Sequence, residues 1–115
     1  LVSIHFNSAW REGASGAETY YYATSGRRLA AGIQERLVRS VAMDDRGLKR
    51  RGFYVLRHSR NPAVLVECGF LTNRAEARRI QQVRHRERLA REIAEAVLEV
   101  RGGGRFRSGG LQAAR

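Results

Sequence analysis

The stretch V-L-V-E-C-G-F-L-T-N, residues 64–73, predicts a buried strand that ends on a carboxylate and passes at once into a glycine turn. Its apolar run is continuous rather than alternating, which is typical of a strand covered on both faces, as in a parallel sheet. Because charge is costly to bury, Glu67 needs a partner or a shifted pKa. Carboxylates in such positions are often functional residues, so Glu67 is the first candidate.

Strand and helix patterns alternate on the amino-terminal side of this stretch, and helices follow it. The predicted strands are residues 1–6, 17–23, 53–57 and 63–67, and the predicted helices run from Thr24 or Ser25 to near Met43, from Asn73 to about Val83, and through Leu89 to Val100. Residues 44–52 are charged and contain two glycines, so we predict a loop there. The alternation predicts an α/β fold, with a three-layer, mostly parallel twisted sheet flanked by helices.

The chain has 115 residues and is at most one domain. Residues 102–115 hold five glycines and almost no apolar periodicity, so we predict a flexible Gly/Arg-rich tail after a domain of residues 1–101. The chain begins at Leu1 inside a strand pattern, and we expect it to be a piece of a longer polypeptide. No apolar run reaches the roughly 18 residues of a membrane span, and any export signal would lie upstream.

The formal net charge of +11 comes from 21 arginines and one lysine. Such a charge favours polyanionic surroundings, namely nucleic acid, anionic lipid or an acidic cell-wall polymer. A nucleic-acid module would gather its arginines on one recognition helix or mix them with exposed aromatic residues, whereas here they are spread along the chain. The single cysteine, Cys68, excludes an internal disulfide and a multi-cysteine metal site, and we predict that it is a buried filler.

Histidine and glutamate side chains at strand ends are the candidates for chemistry. His5, in S-I-H-F-N, and Glu67 both lie near the carboxyl ends of predicted strands, where open α/β sheets place their ligand sites, so we expect them to face one crevice. Asn7 and Glu18 are secondary candidates. Asn7 would shape the turn or the surroundings of a metal. Glu18 would contact substrate or the surroundings of the metal, unless it is an exposed strand residue without a special role.

The chain resembles the zinc-dependent N-acetylmuramoyl-L-alanine amidases of bacterial cell walls, known as the amidase-3 family. The resemblance runs from Leu1 to about Val100 through six motifs in order, S-I-H-F-N, G-A-E-T-Y-Y, D-R-G-L-K, V-L-R, P-A-V-L-V-E-C-G-F-L-T-N and L-A-R-E-I-A-E-A-V. It implies the C-terminal part of a catalytic domain with a phosphorylase/hydrolase-like fold, whose N-terminal strands and helix are missing from this chain. It also implies a secreted, autolysin-like hydrolase that acts outside the cytoplasm, in the periplasm or cell wall.

In that family, zinc is held by two histidines and a glutamate, and a separate glutamate is the catalytic acid/base. The resemblance implies that His5 is the second histidine ligand and that Glu67 is the catalytic glutamate. The other two ligands are expected upstream of this chain, since neither His58 nor His85 stands in a matching motif. One histidine cannot build a three-ligand site, so we expect the chain by itself to bind Zn²⁺ weakly and to have little activity.

The implied reaction is hydrolysis of the amide bond between N-acetylmuramic acid and L-alanine of the stem peptide, with peptidoglycan as the partner and no nucleic acid. Zinc-activated water would attack the carbonyl group, and Glu67 would shuttle the proton. The alternative is a non-catalytic basic module that binds cell-wall polymer or, less in keeping with the spread of arginines, nucleic acid.

Overall fold

Four strands form one mixed sheet in the order β1-β4-β2-β3. The structure, a computed structural model, describes residues 1–103. The strands are β1 (Val2–Asn7), β2 (Ala17–Tyr21), β3 (Asp45–Arg50) and β4 (Val64–Phe70), and the helices are α1 (Arg27–Ser40), α2 (Tyr54–Arg57), α3 (Arg74–Ile80) and α4 (Val83–Arg101). β1 pairs with β4 and β2 with β3 in parallel, whereas β2 and β4 are antiparallel. The predicted α/β class, with a mostly parallel sheet flanked by helices, is confirmed.

β4 lies inside the sheet, between β1 and β2, and is covered on both faces. Val64, Val66 and Cys68 are fully buried in the main core. Leu65 lies on the opposite face, in a smaller apolar cluster with Tyr20. The continuous apolar run of β4 therefore has a physical reason, because removing each Val or Leu side chain from water contributes about 1.5–3 kcal/mol.

α1 and α4 cover the main face of the sheet through apolar stripes with helical spacing. The buried residues of these stripes include Leu29, Ile33, Leu37, Leu89 and Ile93. Arg36 on α1 bridges to α4, with 2.8 Å from Nη1 to Glu92 Oε1 and 2.9 Å from Nη2 to Glu99 Oε2. The two helices thus pack as a pair, and the prediction of two helices from this apolar spacing is confirmed.

The predicted loop at residues 44–52 is wrong, because Asp45–Arg50 form the edge strand β3. β3 pairs with β2 on one side only, and its side chains are exposed or half-buried. Leu48 packs against the core, while Gly47 takes a φ of +86° where the pairing register shifts. An edge strand that buries so little apolar surface lacks the alternation by which strands are recognised.

The predicted strand at residues 53–57 is also wrong, because Tyr54–Arg57 form the short helix α2. The backbone N–H of Arg57 donates to the carbonyl of Phe53, and that of His58 donates to Tyr54. Leu56 is the buried residue of this helix. With one side chain pointing inward, the segment has no periodicity to separate a helical turn from a strand.

α1 begins later and ends earlier than its sequence pattern predicts. Thr24–Gly26 form a 3-10 turn, and the N-cap position is Gly26, without a side-chain cap, rather than Thr24 or Ser25. The helix ends at Ser40 instead of near Met43. Ala42, with a φ of +61°, turns the chain there, and the N–H of Met43 donates to the carbonyl of Leu37.

The described residues end just beyond α4. The N–H groups of Gly102 and Gly103 donate to the carbonyls of Leu98 and Val100 and so finish the helix. Of the predicted flexible tail, residues 104–115 lie outside the described residues. No helix within residues 1–103 is both long and apolar enough to cross a membrane.

Gly26 is a position where the packing requires glycine. A Cβ atom there would lie 2.5 Å from the carbonyl oxygen of Ala63. We expect Gly26→Ala to lower the free energy of unfolding by about 2 kcal/mol, measured by urea denaturation. Gly13→Ala is the matched control, because nothing lies within 4 Å of its Cβ position. Equal effects of the two substitutions would show that the Gly26 contact is not tight.

Candidate active site

His5, Glu67 and Glu18 form a row across three adjacent strands. His5 on β1 is the register partner of Glu67 on β4, and Glu67 is the register partner of Glu18 on β2. Register partners face the same side of a sheet, and neighbouring strands lie about 4.8 Å apart. Val66 and Cys68, on either side of Glu67, point into the core under α1 and α4. The row therefore lies on the opposite face of the sheet.

Glu67 occupies the middle of this row and carries an unsatisfied oxygen. Its Oε1 atom is buried and has no hydrogen-bond partner among the described residues. Burial raises the pKa of Glu67, the neighbouring His5 lowers it, and the negative charge of Glu18 raises it, with a net upward shift. A carboxylate with a raised pKa and an unsatisfied oxygen is suited to take up a proton.

Glu18 is buried, with 4% of its surface exposed, so the reading of Glu18 as an exposed strand residue is wrong. Its Oε2 accepts a hydrogen bond from Asn7 Nδ2 at 2.9 Å, and its Oε1 accepts one from Lys49 Nζ at 2.6 Å. Burial alone would raise the pKa of Glu18, but Lys49, with help from Arg46, makes the net shift downward. Two facing carboxylates thus have pKa values shifted in opposite directions, with Glu18 kept ionised beside Glu67.

Asn7 joins the end of β1 to this site. Besides its bond to Glu18, its Oδ1 accepts from the N–H of Ser8 at 2.9 Å, and its carbonyl accepts from the N–H of Leu71 at 2.8 Å. Asn7 thus links the turn after β1 to the buried carboxylate of Glu18.

Glu76 is a buried structural residue whose main contacts the sequence did not reveal. The sequence paired it with Asn73 as a helix cap, and Asn73 Oδ1 does accept from the Glu76 N–H at 3.0 Å. The Glu76 carboxylate, however, accepts from the N–H of Phe70 at 2.7 Å and from the N–H of Gly16 at 3.0 Å. It therefore clamps the end of β4 to the start of β2, the two strands that carry the facing carboxylates.

The described residues supply one suitable metal ligand rather than a complete site. His5 is exposed, and its Nε2 lies 2.8 Å from Ser3 Oγ. His58 stacks on Tyr54 at 4.0 Å between ring centroids, and His85 lines a cleft beside α4. Within residues 1–103 there is no group of three His, Cys, Asp or Glu that could hold a metal ion. A catalytic zinc ion needs three protein ligands, so these residues do not form a zinc site by themselves.

Cys68 has the properties of a buried filler. Its side chain is fully buried next to Glu67, on the core face of β4. Burial, with a smaller contribution from Glu67, raises the pKa of the Cys68 thiol to about 12. The reactive thiolate is therefore scarcely populated at neutral pH.

Comparison with known proteins identifies the family. The model of the N-acetylmuramoyl-L-alanine amidase family matches residues 1–99, and the chain belongs to this family, amidase-3. It is 36% identical over 102 residues to N-acetylmuramoyl-L-alanine amidase LytC of Bacillus subtilis, covering 85% of this chain and 21% of LytC.

Two solved structures share the fold with a TM-score of 0.81 each. One is the N-acetylmuramoyl-L-alanine amidase of Clostridium difficile 630, 41% identical, with 85% of this chain and 55% of that one covered. The other is the catalytic domain of the amidase CwlV of Bacillus (Paenibacillus) polymyxa, 32% identical, with 86% and 55% covered. The chain thus spans about half of these structures, and 48% or less of the curated relatives LytC and YqiI of Bacillus subtilis.

Proposed function

We propose that this chain is the part of an N-acetylmuramoyl-L-alanine amidase that carries the proton-transferring glutamate, Glu67, and one zinc ligand, His5. The parent protein hydrolyses the amide bond between N-acetylmuramic acid and L-alanine of the peptidoglycan stem peptide, outside the cytoplasm. The observation that carries the proposal is the register of His5 with Glu67, which puts an imidazole and an unsatisfied carboxylate side by side on one face of the sheet. Membership of the amidase family supports it.

Glu67 moves the proton in this proposal. Its buried Oε1 atom makes no hydrogen bond within the described residues, so Glu67 has an unused acceptor for the proton of the water molecule that attacks the amide carbonyl. Glu67 accepts the proton of that water and then gives it to the departing amino nitrogen of L-alanine. The ionised Glu18 favours proton uptake, because its negative charge raises the pKa of Glu67.

His5 fits as one ligand of Zn²⁺, and we propose that a histidine and a glutamate from a part of the parent polypeptide outside residues 1–115 complete the site. When bound, zinc lowers the pKa of a water molecule toward about 7 and polarises the amide carbonyl. The coverage of about half of each solved relative leaves room for such a contribution.

Zinc is expected to dissociate fully from the 115-residue chain on dialysis, because one imidazole cannot supply the usual three ligands. The intact parent polypeptide should keep about one zinc ion per chain. The metal content of both after dialysis, measured by atomic absorption, checks this expectation. Zinc that stays on the 115-residue chain and is lost in His5→Ala would show instead that residues 1–115 form a site of their own.

The function itself is tested with the intact parent polypeptide, zinc and a soluble muramoyl-peptide. The expected product is a peptide with a new free amino group on L-alanine. The alternative, a non-catalytic module that binds cell-wall polymer, predicts neither that product nor stoichiometric zinc, so one assay separates the two proposals.

A further inference from the structure

A basic cleft of about 740 Å³ opens beside α3 and the first half of α4. Its walls carry four arginines, Arg79, Arg84, Arg88 and Arg91. None of the three residues of the candidate active site, His5, Glu18 and Glu67, lines it. The cleft is therefore a feature separate from the candidate active site.

Positive charge is in excess in this cleft. Two glutamates also line it, but Glu92 already binds Arg36 at 2.8 Å. That leaves Glu87 as the one carboxylate to face the four arginines. Arg79 is about half exposed and lies 3.8 Å from the buried carboxylate of Glu76, a long contact to an acceptor that already binds the N–H groups of Phe70 and Gly16.

Two of the arginines are free to bind a ligand. Arg84 and Arg91 are exposed, and neither forms a hydrogen bond or ion pair with any residue in the described part of the chain. Arg88 also donates to the carbonyl of Ser40, which anchors its guanidinium group. Guanidinium groups bind phosphate oxygens with paired donors, so the cleft offers strong phosphate contacts.

The arginines of α4 form a line rather than a single pocket. Residues 84, 88 and 91 stand four and three positions apart, which places them on one face of a helix. With a rise of about 1.5 Å per residue, the line extends roughly 10 Å along the axis. A line of cations suits a polymer with regularly repeated anionic groups better than one small anion.

We propose that this cleft binds a phosphodiester-linked anionic polymer of the cell wall and so holds the enzyme on its substrate. The choice of a wall polymer rests on the proposed function, which places the protein at peptidoglycan. Among the described residues, no Phe, Tyr or Trp side chain lines the cleft, whereas proteins that hold single-stranded nucleic acid rely on stacking against such rings. A polyol phosphate has no bases and needs charge alone.

The test measures binding of the 115-residue chain to sedimented cell wall that carries poly(ribitol phosphate), and to the same wall after hydrofluoric acid has removed the polymer. We expect Arg84→Ala/Arg91→Ala to bind intact wall about tenfold more weakly than the unchanged chain. The stripped wall should bind the unchanged chain as weakly as intact wall binds this variant. Arg84→Lys/Arg91→Lys keeps both charges but loses the paired guanidinium donors, so it should bind more weakly than the unchanged chain and more tightly than the double alanine variant.

Arg27→Ala/Arg60→Ala is the matched control, because it removes two exposed arginines away from the cleft. Its binding should stay within about twofold of the unchanged chain, because the proposal places the contact at the cleft. If net charge alone drove binding, this control would lose as much binding as Arg84→Ala/Arg91→Ala. Equal loss in both double variants, or no loss in either, would overturn the proposal. Tighter binding of single-stranded DNA than of poly(ribitol phosphate), at equal phosphate and with the same dependence on Arg84 and Arg91, would assign the cleft to nucleic acid.

This binding needs no hydrolysis, so its failure is separate from failure of the proposed function. In the intact parent polypeptide, Arg84→Ala/Arg91→Ala should leave hydrolysis of soluble muramoyl-peptide unchanged and slow release of peptide from intact wall. Loss of hydrolysis on the soluble substrate would contradict a cleft that acts only by holding the polymer.

Discussion

Glu67→Gln is expected to lower the rate of amide hydrolysis by the intact parent polypeptide by about 10²–10⁴-fold, the usual contribution of a general acid/base. Glutamine keeps the shape of the side chain but cannot take up the proton. The rate is measured as free L-alanine amino groups released from a soluble muramoyl-peptide. Glu95→Gln, at an exposed position on α4, is the matched control and should keep the full rate.

The same substitution has a second signature in the stability of the metal-free chain. Burial raises the pKa of Glu67, so its ionised form disfavours the folded state at pH 7. Glu67→Gln should therefore raise the free energy of unfolding at pH 7. The gain should disappear as the pH falls below the ordinary pKa of 4.5, where the carboxyl is protonated in both folded and unfolded states.

The stability measurement also shows whether Glu67→Gln is folded. Full hydrolysis by a folded Glu67→Gln variant would show that Glu67 does not transfer the proton.

Glu76→Ala is expected to lower the free energy of unfolding by about 3 kcal/mol. Its carboxylate accepts from the N–H groups of Phe70 and Gly16, and each buried donor left without an acceptor costs about 1–3 kcal/mol. Urea denaturation followed by circular dichroism measures the change.

Two further variants sharpen this experiment. Glu76→Gln keeps one acceptor oxygen and should lose roughly half as much stability. Glu95→Ala, which removes an exposed carboxylate, should change the free energy of unfolding by less than about 0.5 kcal/mol. A loss below about 1 kcal/mol in Glu76→Ala would contradict its role as a clamp.

Elements that bury an apolar stripe were predictable from the sequence. β4 is buried on both faces, and α1 and α4 each place several apolar residues on one side, so their patterns reflect their surroundings. β3 and α2 were not predictable, because each supplies a single apolar side chain to a core, Leu48 from β3 and Leu56 from α2. A segment with one apolar contact is fixed by its neighbours rather than by its own pattern.

The same division applies to the site. The proximity of His5 and Glu67 was predictable because both sit near the carboxyl ends of strands whose apolar pattern marks them, and the structure places them in register. The burial of Glu18 was not identifiable, because its cationic partners Arg46 and Lys49 stand on β3, which reads as a loop. The contact between Glu76 and Gly16 joins residues sixty positions apart, and no local spacing reports it.

The clamp formed by Glu76 belongs to α3, a helix of only seven residues. One of its side chains fastens the ends of both strands on which the facing carboxylates stand. The position of both carboxylates therefore depends on where α3 packs, and a substitution that shifts this helix is expected to move the end of β4 and the start of β2 together.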